Sequence, residues 1–193
     1  MKKIALYLWI ASAIAVAAFA GFIYFGSGGP QQPSIGGPFR LKTPDGQVID
    51  NAALKGKPYA IFFGFTHCPE VCPTTMADMT ALMGKLGDAA KDFKIYFVTV
   101  DPERDTPAAM RDYVASFAPY VVALTGSPEE IATAAKAFRV YYRKTPLENG
   151  DYTMDHSAFV YLMRKDGSFS TVIGYQEKPD RALEKLKALL GKG

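Results

Sequence analysis

The sequence contains little cysteine and little histidine, with two residues of each among 193. A small domain held together by disulfides needs several bridges, so two cysteines exclude that class. The sequence also lacks a large excess of positive or negative charge. The net charge is +3, and two of those charges are Lys2 and Lys3, so nothing in the composition predicts a nucleic-acid partner. We therefore look for chemistry around the four cysteine and histidine side chains.

Charge is absent altogether from the apolar run Ile4–Phe25. Its 22 residues would span about 33 Å as a helix, enough for the hydrocarbon core of a bilayer. Because Lys2 and Lys3 should stay in the cytoplasm, the run predicts a single-pass anchor in a bacterial inner membrane. The rest of the chain would then lie on the periplasmic side. The alternative is a signal peptide cleaved after residues 18–20, Ala-Phe-Ala, which have the small-x-small pattern.

Composition divides the chain into three predicted segments. Residues 1–25 form the cytoplasmic start and the anchor. Residues 26–37 are rich in Gly, Pro, Ser and Gln, which cannot build a core, and are expected to be a flexible tether. Residues 38–193 have the size of one ordinary domain.

Apolar strands alternate with helices in this domain. Strands are predicted over 39–42, 47–49, 59–65, 94–100, 121–124, 140–142, 158–163 and 169–173, and helices over 73–86, 107–117, from 128 onward and over 179–190. The strand–helix–strand unit makes the central strand pair parallel, and the last two strands form a hairpin. This order predicts an α/β, thioredoxin-like fold with a central mixed sheet flanked by helices and preceded by one transmembrane helix.

Both cysteines, Cys68 and Cys72, lie in the turn between the strand 59–65 and the following helix. Pro73 suits the first position of a helix, which places Cys72 near the N-cap. The positive end of the helix dipole favours thiolates there. Two neighbouring thiolates can close a disulfide or bind a soft metal.

One histidine is next to the dithiol in sequence, and the other is expected to approach it through the fold. His156 precedes the strand 158–163, and in a thioredoxin-like sheet the loop entering that strand faces the dithiol turn. Two thiolates and an imidazole suit copper as Cu(I) or Cu(II), whereas a structural zinc site needs a fourth ligand. His67 is adjacent to Cys68, but its side chain can equally point away from the site.

Several motifs together resemble those of the Sco/SenC family. They are Gly64–Pro73 (Gly-Phe-Thr-His-Cys-Pro-Glu-Val-Cys-Pro), Val100–Pro107 (Val-Asp-Pro-Glu-Arg-Asp-Thr-Pro), Asp155-His156-Ser157 and Tyr161-Leu162. The resemblance covers essentially all of 38–193. It implies a membrane-tethered copper metallochaperone that assists assembly of the binuclear copper centre of cytochrome c oxidase subunit II. By the same resemblance, Cys68, Cys72 and His156 match the copper ligands. Expected partners are subunit II, another copper chaperone or a thiol reductant, and the membrane.

Two other functions remain open at this stage. Cys68 and Cys72 could be the catalytic dithiol of a thiol–disulfide reductase that keeps the oxidase cysteines reduced, and otherwise the chain is not expected to be an enzyme. A peroxidase of related fold needs a threonine and an arginine around one cysteine, and only Thr66 keeps that interpretation alive. Thioredoxin-type enzymes carry a proline before the strand that faces the dithiol. Here Ser157 and His156 occupy that approach, which favours copper.

Two further groups of residues have both a functional and a structural interpretation. Asp101, Arg104 and Asp105 follow the strand 94–100 and either support the site from behind or form a turn network of their own. Met76, Met79 and Met83 share one helix face; their thioethers could bind Cu(I), but core packing explains the spacing better.

Overall fold

The computed structural model describes residues 2–23, 35–148 and 150–191. The chain divides into two compact units, Met1–Ser34 and Ile35–Gly193. Most of the predicted tether, 26–37, lies outside the described residues. The division into three segments therefore stays a prediction.

The first unit contains the segment expected to be an anchor. Helix α1 covers Lys2–Gly21, and residues 22 and 23 form a π-helical turn. The α-helix thus ends at Gly21, a residue of low helix propensity, and the last two residues of the predicted run Ile4–Phe25 lie outside the described residues. No helix within the described residues is both long and apolar enough to cross a membrane. On this point the structure does not support the predicted transmembrane helix.

The second unit is organised around a five-stranded mixed sheet with the order β5-β4-β3-β8-β9. Its strands are β3 (Tyr59–Gly64), β4 (Lys94–Thr99), β5 (Val121–Leu124), β8 (Phe159–Met163) and β9 (Phe169–Gly174). β3, β4 and β5 run parallel, whereas β8 and β9 are antiparallel to their neighbours. The predicted parallel central pair and the final hairpin are confirmed. Outside this sheet, β1 (Arg40–Lys42) and β2 (Val48–Asp50), which match the strands predicted over 39–42 and 47–49, pair as an antiparallel hairpin.

Four α-helices and a short 3-10 helix, Gly87–Ala90, complete the described part of this unit. The α-helices are α2 (Val71–Leu86), α3 (Pro107–Ala115), α4 (Pro128–Ala137) and α5 (Pro179–Leu190). α3 begins where the Thr106 hydroxyl accepts from the Ala109 backbone N–H at 3.2 Å. α4 begins with a capping box between Ser127 and Glu130, at the position where the sequence predicts a helix start. These side chains satisfy backbone donors that a helix terminus leaves without partners.

The central strand β3 explains where the core lies. All six of its residues are buried, as expected for a strand covered on both faces. Met76, Met79 and Met83 of α2 are buried in the same apolar cluster, which confirms that they are core residues.

One part of the predicted order is wrong. A strand was expected over 140–142 and a loop around His156, but the chain forms a second hairpin from β6 (Tyr142–Pro146) and β7 (Tyr152–His156). This hairpin is a separate two-stranded sheet. The reason is polar composition: Met154 is the one buried residue of β7, so the segment lacks the apolar alternation that marks a strand.

The topology brings three chain segments to one edge of the sheet. β3 and β4 are parallel and in register, with Gly64 opposite Thr99, so the segments that follow them leave from the same edge. β8 is antiparallel to β3 and pairs Val160 with Phe62, so the residues that enter β8 arrive at that edge too. The dithiol turn, the loop after β4 and His156 therefore meet there.

Candidate metal site

The dithiol turn is built by a tight reversal after β3. The Cys68 backbone N–H donates to the Phe65 carbonyl at 3.2 Å, and helix α2 begins at Val71. Cys72 is therefore the second helical residue, and the predicted helix start at Pro73 is wrong by two residues. Proline is tolerated in this first turn because its missing N–H would have had no partner within the helix.

Cys68 and Cys72 differ in exposure. Cys68 is half-buried and Cys72 is buried, and both thiols are free. The Cys72 backbone N–H donates to Cys68 Sγ at 3.4 Å. The N-terminus of α2 thus supplies a hydrogen bond to the more accessible sulfur, as expected for a thiolate at the positive end of a helix dipole.

A buried carboxylate, that of Asp105, fastens the turn to the sheet. It accepts from the Thr66 backbone N–H at 3.1 Å and from the Thr66 hydroxyl at 2.6 Å. The Thr66 hydroxyl binds Oδ1, and the Thr99 hydroxyl at the end of β4 donates to Oδ2 at 2.6 Å. Asp105 therefore contacts the loop that carries the cysteines rather than the sulfur atoms themselves.

His156, the last residue of β7, faces the dithiol as the sequence predicted. Its Nε2 lies 3.5 Å from Cys72 Sγ, and its ring stands edge-on to Phe62 and Phe65 at centroid distances of 5.9 and 5.8 Å. Nδ1 lies 3.2 Å from the Ser157 carbonyl oxygen, which can only accept, so Nδ1 carries the proton of the neutral ring. Nε2 then presents a lone pair to the site.

The three side chains form one ligand group. The sulfur atoms of Cys68 and Cys72 and a ring nitrogen of His156 all lie within 4.8 Å of one another. Among the described residues this is the one cluster of at least three His, Cys, Asp or Glu side chains that could hold a metal ion. Two soft sulfur donors and one imidazole fit copper in both common oxidation states.

His67 does not join this group. Its Nδ1 lies 3.1 Å from the Thr66 hydroxyl, and its side chain is 51% exposed. The interpretation that its side chain points away from the dithiol is the one that the structure favours.

The two thiols differ in acidity as well as in exposure. A hydrogen bond from the Cys72 side chain, with further ones from the backbone N–H groups of Cys72 and Glu70, lowers the pKa of Cys68 to about 4 against the effect of burial. The same bond, burial and the charge of Cys68 raise the pKa of Cys72. At neutral pH the site therefore contains an accessible thiolate beside a buried thiol.

Asp101 and Arg104 form the turn network that the sequence offered as one interpretation. Arg104 Nε donates to Asp101 at 2.6 Å and Arg104 Nη1 donates to the Tyr152 carbonyl at 2.8 Å. The Tyr152 hydroxyl donates to Asp101 at 2.9 Å, and the Arg104 guanidinium lies 3.6 Å from the centroid of the Tyr152 ring. The network joins the loop after β4 to the β6–β7 hairpin that carries His156.

Sequence reasoning missed Tyr113 of α3. Its hydroxyl is buried without a hydrogen-bond partner among the described residues, and its ring lies tilted against that of Phe97, with 4.9 Å between the ring centroids. Burial is the main cause that raises its pKa, and coulombic interactions with the Cys72, Cys68 and Asp105 side chains raise it further. No local pattern marks this tyrosine, because its proximity to the site depends on how α3 packs.

Comparison with known proteins gives the family. A family model described as SCO1/SenC matches residues 27–191. The chain belongs to the SCO1/SenC family. A curated member, the protein SCO1 homolog 1, mitochondrial, of Arabidopsis thaliana, is 42% identical over 148 residues, covering 76% of this chain and 44% of that protein. This chain thus spans less than half the length of that Sco relative.

Two solved Sco structures show related folds. Bradyrhizobium japonicum ScoI, solved with copper bound, is 45% identical with a TM-score of 0.74, and the match covers 81% of this chain and 99% of that one. BsSco is 28% identical with a TM-score of 0.65, covering 84% and 96%. A disulfide switch was identified in BsSco, which is a member of the Sco family of cytochrome c oxidase assembly proteins. The mixed α/β fold with a central mixed sheet is confirmed by these likenesses.

Proposed function

We propose that this protein binds copper through Cys68, Cys72 and His156 and hands it on as a metallochaperone. The observation that carries the proposal is the convergence of two sulfur atoms and one imidazole nitrogen within 4.8 Å. The copper-bound structure of the related ScoI supports it. Copper is here a cargo, and the residues of the chain supply the donor atoms.

The donor set suits a carrier better than a storage site. Cys68 is reachable from solvent while Cys72 is buried, so a recipient thiol can approach one side of the ion. No fourth His, Cys, Asp or Glu belongs to the cluster among the described residues. Cys72 must lose its thiol proton to become a ligand, because only the thiolate binds metal well.

For the recipient, we propose the binuclear copper centre of cytochrome c oxidase subunit II. The proposal is supported by the relationship to BsSco, which belongs to a family of cytochrome c oxidase assembly proteins. An upstream copper chaperone or a thiol reductant would supply the copper or the reduced dithiol.

We propose that the copper-binding unit lies outside the cytoplasm. An alkaline-phosphatase fusion at Gly193 should be active if the unit is exported and inactive if it stays in the cytoplasm. Recovery of the protein in the pellet after carbonate extraction would show membrane attachment, and release into the supernatant would contradict it.

Copper titration of the full chain tests the copper proposal. The reduced protein should bind one copper ion, and the oxidised protein should bind none because the disulfide consumes both sulfur donors. His156→Ala should weaken Cu(II) binding by more than about tenfold, because losing a ligand costs at least as much as losing a residue that only orients one. Cu(I) should be affected less, since it prefers the two sulfurs. Equal binding before and after oxidation would remove both cysteines from the ligand set.

A thiol–disulfide reductase is the second candidate, and the asymmetry of the dithiol favours it. The Cys68 thiolate would attack one sulfur of a substrate disulfide, forming a mixed disulfide and releasing the other sulfur as a thiolate. Deprotonated Cys72 would then attack Cys68 Sγ, releasing the second substrate thiolate. The substrate disulfide is thereby reduced to two thiols while Cys68 and Cys72 are oxidised to a disulfide.

His156 separates the two candidates. Thiol–disulfide exchange needs no imidazole ligand, so His156→Ala should leave the disulfide reduction potential nearly unchanged. If His156→Ala cells assemble full oxidase while Cys68→Ser cells do not, the copper proposal fails and the reductase replaces it. Loss of oxidase activity in His156→Ala cells, rescued by added copper, would support copper delivery.

A further inference from the structure

The β6–β7 hairpin presents one of its faces to the rest of the unit. Side chains alternate between the two faces of a strand, so Tyr152, Met154 and His156 of β7 share one face. Met154 is buried, which identifies this face as the one that packs inward. Tyr152 begins the row and His156 ends it, about 13 Å further along the strand. Contacts that fix Tyr152 therefore also limit where the hairpin places His156.

Tyr152 is bound by the turn that follows β4. Its hydroxyl donates to Asp101 at 2.9 Å, and its backbone carbonyl accepts from Arg104 Nη1 at 2.8 Å. The guanidinium carbon of Arg104 lies 3.6 Å from the centroid of the Tyr152 ring, and Lys144 Nζ of β6 lies 3.9 Å from it. Cations at such distances from an aromatic ring are attracted to it. Tyr152 is thus fixed through its hydroxyl, its carbonyl and its ring.

The same turn also binds the half of the site that carries the cysteines. Asp105 directly follows Arg104, and its carboxylate accepts from the backbone N–H and the hydroxyl of Thr66 at 3.1 and 2.6 Å. The turn is closed on itself, because the backbone N–H groups of Arg104 and Asp105 both donate to the Asp101 carbonyl, at 3.2 and 3.0 Å. Two consecutive residues therefore connect the dithiol loop to the hairpin.

We infer that Arg104 and Tyr152 are positioning residues, which keep His156 at the dithiol and thereby give the site its affinity for Cu(II). The inference rests on the proposed copper function. Two sulfur donors suit Cu(I), whereas Cu(II) gains more from an imidazole nitrogen. With the contacts of Tyr152 in place, His156 Nε2 lies 3.5 Å from Cys72 Sγ. When those contacts are removed, the hairpin shifts and copper keeps only the two sulfurs as firm donors.

Replacement of Tyr152 by leucine tests the inference through the two oxidation states of copper. The variant loses both the ring and the hydroxyl. We expect the reduced full chain to bind Cu(II) at least about tenfold more weakly, because loss of a residue that orients a metal ligand costs about 10–100-fold in affinity. Cu(I) affinity should stay at the wild-type level, since both sulfurs remain in place. Competition with glycine measures the Cu(II) affinity, and competition with bicinchoninate measures the Cu(I) affinity.

Three further variants show whether the effect comes from positioning. Tyr152→Phe keeps the ring and the carbonyl contacts and should retain most of the Cu(II) affinity. Arg104→Lys keeps the charge but lacks the planar fork that binds Asp101 and the Tyr152 carbonyl together, so it should behave like Tyr152→Leu. Tyr141→Leu, the matched control at a residue that is 56% exposed, should bind both ions normally. In pulsed EPR of the Cu(II) form, coupling to the His156 nitrogen should weaken in Tyr152→Leu and persist in Tyr152→Phe.

The outcomes separate this inference from the proposed function. Wild-type Cu(II) affinity in Tyr152→Leu or in Arg104→Lys overturns the positioning role and leaves the proposed ligands in place. Equal losses of Cu(I) and Cu(II) affinity also overturn it, because the dithiol itself would then be disturbed. A loss of the same size in Tyr141→Leu overturns it as well, since any change near the hairpin would then weaken binding. Absence of copper binding in the wild type would instead contradict the proposed function.

Discussion

Replacing Gly64 by alanine tests how closely the side chains around the Cys72 sulfur are packed. Gly64 is the last residue of β3 and is buried. A Cβ at this position would lie 2.8 Å from Cys72 Sγ, 2.9 Å from Phe62 Cε1 and 3.0 Å from Phe97 Cε2. Carbon contacts are most favourable at about 3.5–4.0 Å, so the neighbours must move by about 0.5 Å or more.

None of these neighbours can swing into solvent, since Cys72, Phe62 and Phe97 are all fully buried. Overpacking of this kind usually costs about 1–3 kcal/mol. For a unit of this size each kcal/mol lowers the melting temperature by about 2–4 °C, so Gly64→Ala should melt about 2–12 °C below wild type. Copper affinity should fall with it, because one of the atoms that must move is the proposed ligand Cys72 Sγ.

Gly84→Ala is the matched control, because the same methyl group is added to the same element that carries Cys72. Gly84 lies in α2, and a Cβ there meets nothing within 4 Å. Alanine is favoured over glycine in helices by up to about 1 kcal/mol, so this variant should melt slightly above wild type and bind copper normally. Thermal melting by circular dichroism and copper titration check both variants. If Gly64→Ala melts and binds copper like wild type, the inference that Cys72 Sγ is tightly packed against Gly64 is wrong.

Two other predictions concern acidity and the dithiol turn. Alkylation of Cys68 by iodoacetamide should stay constant as the pH falls from about 8 to 5, since thiolate is the reacting form, and should halve near the Cys68 pKa of about 4. Cys72→Ala should move that midpoint to higher pH because it removes the thiol that donates to Cys68. Cys72→Ser keeps a donor and should move the midpoint less. A wild-type midpoint above pH 8 would contradict the proposed difference in acidity between the two thiols. Asp105→Asn should cost about 1–3 kcal/mol in urea unfolding, because an amide N–H₂ replaces a buried acceptor. The exposed control Asp88→Asn should cost less than about 0.5 kcal/mol, and equal costs would show that Asp105 does not hold the turn.

Much of the fold follows from short-range patterns. The apolar run that became β3, the hairpin around Asp166-Gly167 and the caps at Thr106 and Ser127 are all written in adjacent residues. Local physical chemistry decides these elements, so the sequence predicts them within one or two residues. The meeting of His156 with the two cysteines was also predicted, but through the expected topology and not through any local signal.

The parts that could not be predicted depend on contacts between distant segments. Asp105 binds Thr66 across 39 residues, and nothing near Asp105 in sequence indicates that partner. The strand β7 is polar along most of its length, so its sequence gives no strand signal. Its hairpin is held by contacts from a distant segment, such as those of Arg104 with Tyr152. Tyr113 lies near the site only because α3 packs as it does. In each case tertiary packing decided the outcome.

The separate β6–β7 hairpin has a consequence for how a copper ion would be let go. Cys68 and Cys72 are fixed to the central sheet through the end of β3, whereas His156 sits on a two-stranded sheet that shares no ladder with it. Local openings of a protein cost less free energy than global unfolding when few backbone bonds must break. The third donor can therefore retreat by bending one hairpin while the dithiol and the core stay in place. Withdrawal of His156 would then require breaking the contacts that hold the hairpin, such as those of Arg104 with Tyr152, while the ladder of the central sheet stays intact.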